Sequence, residues 1–210
     1  MIVKSFEINK IKLTNQNLVL FYGNNFGLKD QIKNFILKER NITSVYDEKE
    51  VIDNTSNFIE NLSSKSLFDK EKIIIINRVS DKIYKIIFEI IEKEIDDLTI
   101  ILDSENLEKK SKLRSLFEKS QHCICIPVYP DNNETLAKLA SLSLKNKNIS
   151  ISSSNLNLIV NKCKGDRKVL FTELEKIENY AKNGRKINTE SILKLTNLIE
   201  NHSISELIDN

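Results

Sequence analysis

Tryptophan is missing from this 210-residue sequence, and methionine (one), histidine (two), proline (two), cysteine (three) and glycine (four) are scarce. So little proline and glycine excludes a linker-like or loop-dominated chain. The cysteines, Cys123, Cys125 and Cys163, are odd in number and lack CxxC spacing, which excludes a disulfide scaffold and a zinc ribbon. Cys123 and Cys125 alternate with Ile124 and Ile126, as on a strand, where residues two apart share a face without disulfide geometry. His122 precedes that run and reads as a strand edge, so no metal and no other cofactor is expected. No stretch reaches about 18 consecutive apolar residues, and Met1 to Lys12 has no apolar signal-peptide core. The expectation is a soluble, cytoplasmic protein with no membrane contact. An excess of one charge is lacking too: 32 Lys and Arg face 30 Asp and Glu, for a formal +2. That removes the polyelectrolyte argument for strong nucleic-acid binding.

What is present is an alternation of strand and helix patterns. Asn17–Tyr22 reads as a buried strand, Gly23–Gly27 as a turn, and Leu28–Arg40 as a helix with Ile32, Phe35 and Ile36 on one face. Thr43–Tyr46 is a short second strand. A helix marked by Phe58, Ile59 and Leu62 is capped near Asn54–Ser56. Ile73–Ile76 is an unbroken β-branched run inside a strand Lys72–Asn77, the mark of a parallel sheet covered on both faces. Ile83, Ile86, Ile87, Ile90 and Ile91 form a helical stripe, Leu98–Leu102 is another buried strand, Lys112–Lys119 a helix and Cys123–Val128 a last strand. The fold class is therefore α/β, a parallel sheet with helices on both faces.

Both prolines fall in Pro127-Val128-Tyr129-Pro130, and beyond them the strand pattern stops. Helices around Leu136–Leu144, from Ser152–Ser154, over Arg167–Ala181 and from Thr189 make a small all-α domain. The expected organisation is an α/β domain over 1–129, a helical domain over 130–200, and in 201–210 the start of a third region beyond the chain's end. Ser203–Ile208 has the look of a capping box opening a helix too short to bury anything.

The turn after the first strand sits where a phosphate-binding loop belongs, but GxxxxGK[ST] is not satisfied. Counted from Gly23, the glycine slot holds Leu28, the lysine slot Lys29, and the hydroxyl slot Asp30, a carboxylate that would repel phosphate. The isoleucine strand ends in Asn77-Arg78, where a nucleotide-hydrolysing enzyme places the carboxylates that hold magnesium and orient water. Asp103 ends the following strand, one β-α unit too late. Two catalytic parts are lost from one scaffold, which predicts no catalytic residue and no ATPase activity.

Ser66-Leu67-Phe68 places an apolar pair in a polar setting, between Ser63-Ser64-Lys65 and Asp69-Lys70-Glu71-Lys72. The pair either plugs its own domain or is offered to a partner. Two basic clusters, Lys109-Lys110-Ser111-Lys112 and Lys162, Lys164, Arg167 and Lys168, read first as solvated faces. Lys164, Arg167 and Lys168 lie at a helix N-terminus, which suits weak contact with a DNA backbone.

In four stretches the sequence resembles the delta subunit of the bacterial DNA polymerase III clamp loader. They are Leu18–Asn25, Ser66-Leu67-Phe68 ahead of the isoleucine strand, Leu107–Leu113, and Gly165-Asp166-Arg167 leading to Glu173-Leu174-Glu175-Lys176-Ile177; Asn201–Ile204 is similar to the start of that family's third, collar domain. The resemblance implies a RecA-like AAA+ domain followed by a helical lid, without ATPase activity. It implies a non-catalytic component of the polymerase III holoenzyme that binds the sliding clamp (beta subunit) and opens its ring during DNA replication. Ser66, Leu67 and Phe68 would be the clamp-binding residues. The implied partners are the clamp, the other loader subunits chiefly through the collar, and DNA weakly.

Three rivals stand beside that reading. An active AAA+ or P-loop ATPase is opposed by Asp30 and Asn77. The loader's delta prime subunit is opposed by the lack of its Ser-Arg-Cys motif and four-cysteine module. A DNA-binding adaptor module is opposed by the near-zero net charge.

Overall fold

The computed structural model describes residues 1–4, 7, 16–38, 40–64, 71–120 and 123–196. The chain divides into two compact units, Met1–Asn24 with Lys29–Val128, and Asn25–Leu28 with Tyr129–Asn210.

The first unit is built on five parallel strands: β1 (Gln16–Tyr22), β2 (Ser44–Asp47), β3 (Lys72–Asn77), β4 (Leu98–Ser104) and β5 (Cys123–Pro127). Their order across the sheet is β2-β3-β4-β1-β5. The three inner strands are apolar on both faces because helices cover both, so Ile73 to Ile76 are all buried. Edge strand β2 leaves Val45 56% exposed. One buried polar pair marks the β1–β4 register, with Asn17 Nδ2 donating to Thr99 Oγ1 at 3.1 Å. Pro127 is tolerated because β5 lies at an edge.

Helices α1 (Phe26–Leu37), α2 (Glu48–Asp53), α3 (Thr55–Ser63), α4 (Tyr84–Lys93) and α5 (Lys112–Lys119) alternate with the strands, and a 3-10 turn, Asp81–Ile83, leads into α4. The isoleucine stripe of α4 supplies Ile86, Ile87 and Ile90 to the core, where Leu113 and Phe117 of α5 join them. Several element ends differ from expectation by one to three residues, and one helix was not expected. α1 ends at Leu37 and not Arg40, because Lys38 adopts φ 49°, a left-handed terminator. α2 has no apolar periodicity to announce it: Val51 is its single buried residue, and the Glu50 side chain accepts from Asp47 N at 2.8 Å to set its start.

The second unit contains α6 (Asn133–Asn146), α7 (Ser153–Lys162), α8 (Arg167–Lys182) and α9 (Thr189–Leu195). Side chains accept from first-turn N–H groups at all four starts, from Asn132, Ser152, Asp166 and Asn188. Leu136, Ala140, Ile159, Leu170, Ile177 and Ile192 form its core. One carboxylate, Glu173, is buried there. Lys162 and Lys176 each pair with it at 2.9 Å, and both lysines also reach carbonyls at the end of α9. Leu198 and the expected helix after Ser203 lie outside the described residues.

Candidate functional site

The loop after β1 contains two glycines, Gly23 and Gly27, and backbone packing explains both. In the first unit Gly23 has φ +127°, and an added Cβ would lie 2.0 Å from the carbonyl oxygen of Val128. Only glycine meets both conditions. In the second unit a Cβ on Gly27 would lie 2.1 Å from Lys168 N. The glycine lets the first turn of α1 approach the first turn of α8, backbone to backbone.

That approach brings two helix N-termini onto one carboxylate. Asp166 accepts from Phe26 N at 3.2 Å, Gly27 N at 3.3 Å and Lys168 N at 2.6 Å. Helix N-termini carry unsatisfied N–H groups and the positive end of the dipole, and bound anions exploit both. Here the chain supplies the anion. Asn25, fully buried, completes the arrangement. Its Oδ1 accepts from Leu28 N and from Arg167 N, each at 3.1 Å. Its Nδ2 donates to Asp131 Oδ2 at 2.8 Å. Asp131 in turn holds the Arg167 guanidinium in a two-point pair, with Nε to Oδ2 at 2.7 Å and Nη2 to Oδ1 at 3.0 Å.

In the first unit the lysine of the loop is also committed. Lys29 is 1% exposed, and its Nζ donates to Asp103 Oδ1 and to Ser104 O, both at 2.7 Å. Lys33 Nζ takes the other carboxylate oxygen of Asp103 at 2.5 Å. Asp103, out of place for a magnesium ligand, thus serves as the partner of the loop lysine. At the end of β3, Asn77 lies beside Asp47 of β2 in the sheet register. The Asp47 carboxylate is held by Arg78.

The other expected site residues are placed as follows. Leu28 is buried, and Asp30 is exposed, 3.8 Å from Lys33. Arg167 is engaged by Asp131, while Lys164 and Lys168 are exposed. Ser66, Leu67 and Phe68 lie outside the described residues, as does His122. Both flanks of the 65–70 segment are tied together, since Lys72 Nζ donates to Asn61 O and Ser64 O at the end of α3 and to Ser64 Oγ at 3.1 Å.

The cysteines are buried and free. Burial, reinforced by the negative charge of Glu118, pushes the Cys125 thiol up to about 12. Burial with Glu173 pushes Cys163 up to about 11. Such thiols stay protonated near neutral pH. Among the described residues no three His, Cys, Asp or Glu side chains group as a metal site, and no helix is long and apolar enough to cross a membrane. Asp166 is the residue whose larger role sequence reasoning missed. It reads as an ordinary cap, and nothing local reveals partners 139 and 140 residues away.

No family model matches the chain, and no curated protein matches its sequence. Solved structures do resemble it. Domain III of the replication initiation protein DnaA from Thermotoga maritima is 15% identical with a TM-score of 0.54, over 91% of this chain and 87% of that one. The DNA clamp loader delta protein of Bacillus subtilis is 15% identical with a TM-score of 0.53, over 90% of this chain. This chain spans 59% of the length of that protein. A Walker-type ATPase of Pyrococcus abyssi is 14% identical with a TM-score of 0.59, over 98% of this chain and 73% of that one. The shared feature is the fold, a RecA-like AAA+ sheet domain followed by an all-α part.

Proposed function

We propose that this chain is a non-hydrolysing AAA+ subunit of a DNA clamp loader, of the delta kind, which binds the sliding clamp and favours its open ring. The observation that carries the non-hydrolysing part is the Asp166 carboxylate, which receives the first-turn N–H groups of α1 that a phosphate would need. Lys29, bound to Asp103 and Ser104, supports the same reading, as does a β3 strand that ends in Asn77.

The clamp-binding part rests on Leu67 and Phe68, on their place before the isoleucine strand, and on the sequence resemblance. Burying each side chain in a partner contributes about 1.5–3 kcal/mol. The pair alone reaches roughly 3–6 kcal/mol, which is millimolar binding at its weak end. The pair is an anchor, and neighbouring surface must add the rest. No bond is made or broken. The free-energy difference between the open ring and the closed ring, each bound to this chain, does the work. The other loader subunits would be met chiefly through a collar domain, and DNA only weakly.

The test is a titration of the chain against the sliding clamp of the same organism. Wild type binds, and the Leu67→Ala, Phe68→Ala double variant, shown folded by circular dichroism, does not. Equal clamp retention by the two would overturn the assignment.

A further inference from the structure

A second basic feature is not absorbed by that reading. In the first unit a cavity of about 620 Å³ opens beside α4 and α5, with Lys109, Lys110, Lys112 and Lys119 around it and Tyr84 and Leu116 in its wall. Lys110 is exposed and pairs with Glu108 at 2.9 Å. Lys109, Lys112 and Lys119 have no carboxylate at ion-pair distance among the described residues. Asp81 is the carboxylate beside Lys112. It accepts from Lys112 N at 3.1 Å, Leu113 N at 3.0 Å and the Ser111 hydroxyl. Asp81 offsets part of the charge of Lys112, and the clustered ammonium groups still concentrate counter-anions around one concavity.

The cavity also has an apolar side. The Tyr84 ring lies at 26° to Phe88 with centroids 6.1 Å apart, and Phe88 is 41% exposed. The concavity is open to solvent and has room for more than one phosphate. Lysine suits phosphate as a point charge, and an aromatic face suits a base.

We propose that this cavity is a nucleotide-phosphate site separate from the phosphate loop, with phosphates among Lys109, Lys112 and Lys119 and the base against Tyr84 and Leu116. A free nucleotide and a nucleotide within a single strand present the same chemistry. The site is independent of any role of Leu67 and Phe68.

The test uses the full 210-residue chain and fluorescence anisotropy with two probes, a labelled oligo-dT strand and a labelled adenosine nucleotide without magnesium. In the Lys109→Glu, Lys112→Glu, Lys119→Glu variant, affinity for the bound probe falls tenfold or more. For the strand, the plot of log K against log salt becomes shallower by about 2, near 0.7 per lost phosphate contact. Tyr84→Ala weakens binding several-fold at unchanged salt slope, and Tyr84→Phe restores it. Binding of the strand alone identifies the source as a strand, and binding of both probes identifies a free nucleotide as sufficient. Thermal melting checks each variant, with Lys→Gln at the same three positions as the milder set. The proposal is overturned if neither probe binds, if the loss follows Lys164→Glu with Lys168→Glu instead, or if Tyr84→Ala has no effect. Clamp retention by the lysine variants stays unchanged, which separates this site from the clamp assignment.

Discussion

Asp166 shows how much one side chain can decide. Its carboxylate serves three backbone N–H groups from two helices, one of the bonds half-buried and two exposed. Removing a helix cap of this kind costs about 0.5–2 kcal/mol. Asp166→Ala should lower the unfolding free energy measured in urea by that much, and Asp166→Asn, which keeps an acceptor oxygen, by less. The thiols set a pH limit. Burial raises Cys125 to about 12 and Cys163 to about 11, above an ordinary value of 9.0. A raised folded pKa means the contribution is complete below the unfolded pKa and is lost as pH rises through 9 towards the folded values. Melting temperature should therefore fall more between pH 8 and pH 10.5 in wild type than in Cys125→Val. At this scale the sequence is only half legible. Asp30 and Leu28 depart visibly from the phosphate-loop pattern, and Asp103 stands out as misplaced. The pairing of Lys29 with Asp103, 74 residues apart, is a product of folding that no local pattern encodes.

The elements were legible wherever burial imposes a period. Lys72–Asn77 and Lys112–Lys119 have the bounds their patterns predict, because four buried isoleucines and a Leu113–Phe117 face leave little choice. α2 escaped because capping and not apolar spacing makes it a helix. α1 was read two residues short at its start because Phe26 and Gly27 resemble loop. They are helical because Asp166 and Asn25 supply acceptors to the first turn. Gly27 is the most exacting position among these elements, since any Cβ there runs into the backbone of Arg167 and Lys168. Overpacking against backbone costs about 1–3 kcal/mol or more. Gly27→Ala should destabilise the chain by at least that much in urea unfolding, and Gly27→Val should prevent folding.

For the whole molecule, the alternation of strand and helix, followed by helices alone, foretold a parallel sheet unit and a helical one, and the sequence resemblance implied the AAA+ arrangement. Composition contributed the exclusions, and the proline pair marked where the pattern changes. Composition could not foretell that Asn25–Leu28 packs with the helical residues of the second unit, because that depends on Asn25, Asp131, Asp166 and Arg167 meeting. With the loop donors and its lysine already engaged, millimolar ATP with magnesium should leave the melting temperature within about 1 °C of the ligand-free value, where binding at 100 times Kd would add about 2.7 kcal/mol. Phosphate release at the no-enzyme rate is the matching expectation, and turnover that disappears in Lys29→Ala would contradict it.

The carboxylate shared by α1 and α8 has one more consequence. A tethered anion competes for its donors without having to be captured from solution, so a dissolved phosphate would have to displace Asp166 to reach them. On the proposed reading, the ratio of ATP to ADP passes unnoticed at this corner of the protein, and a timing signal has to arrive from a neighbour.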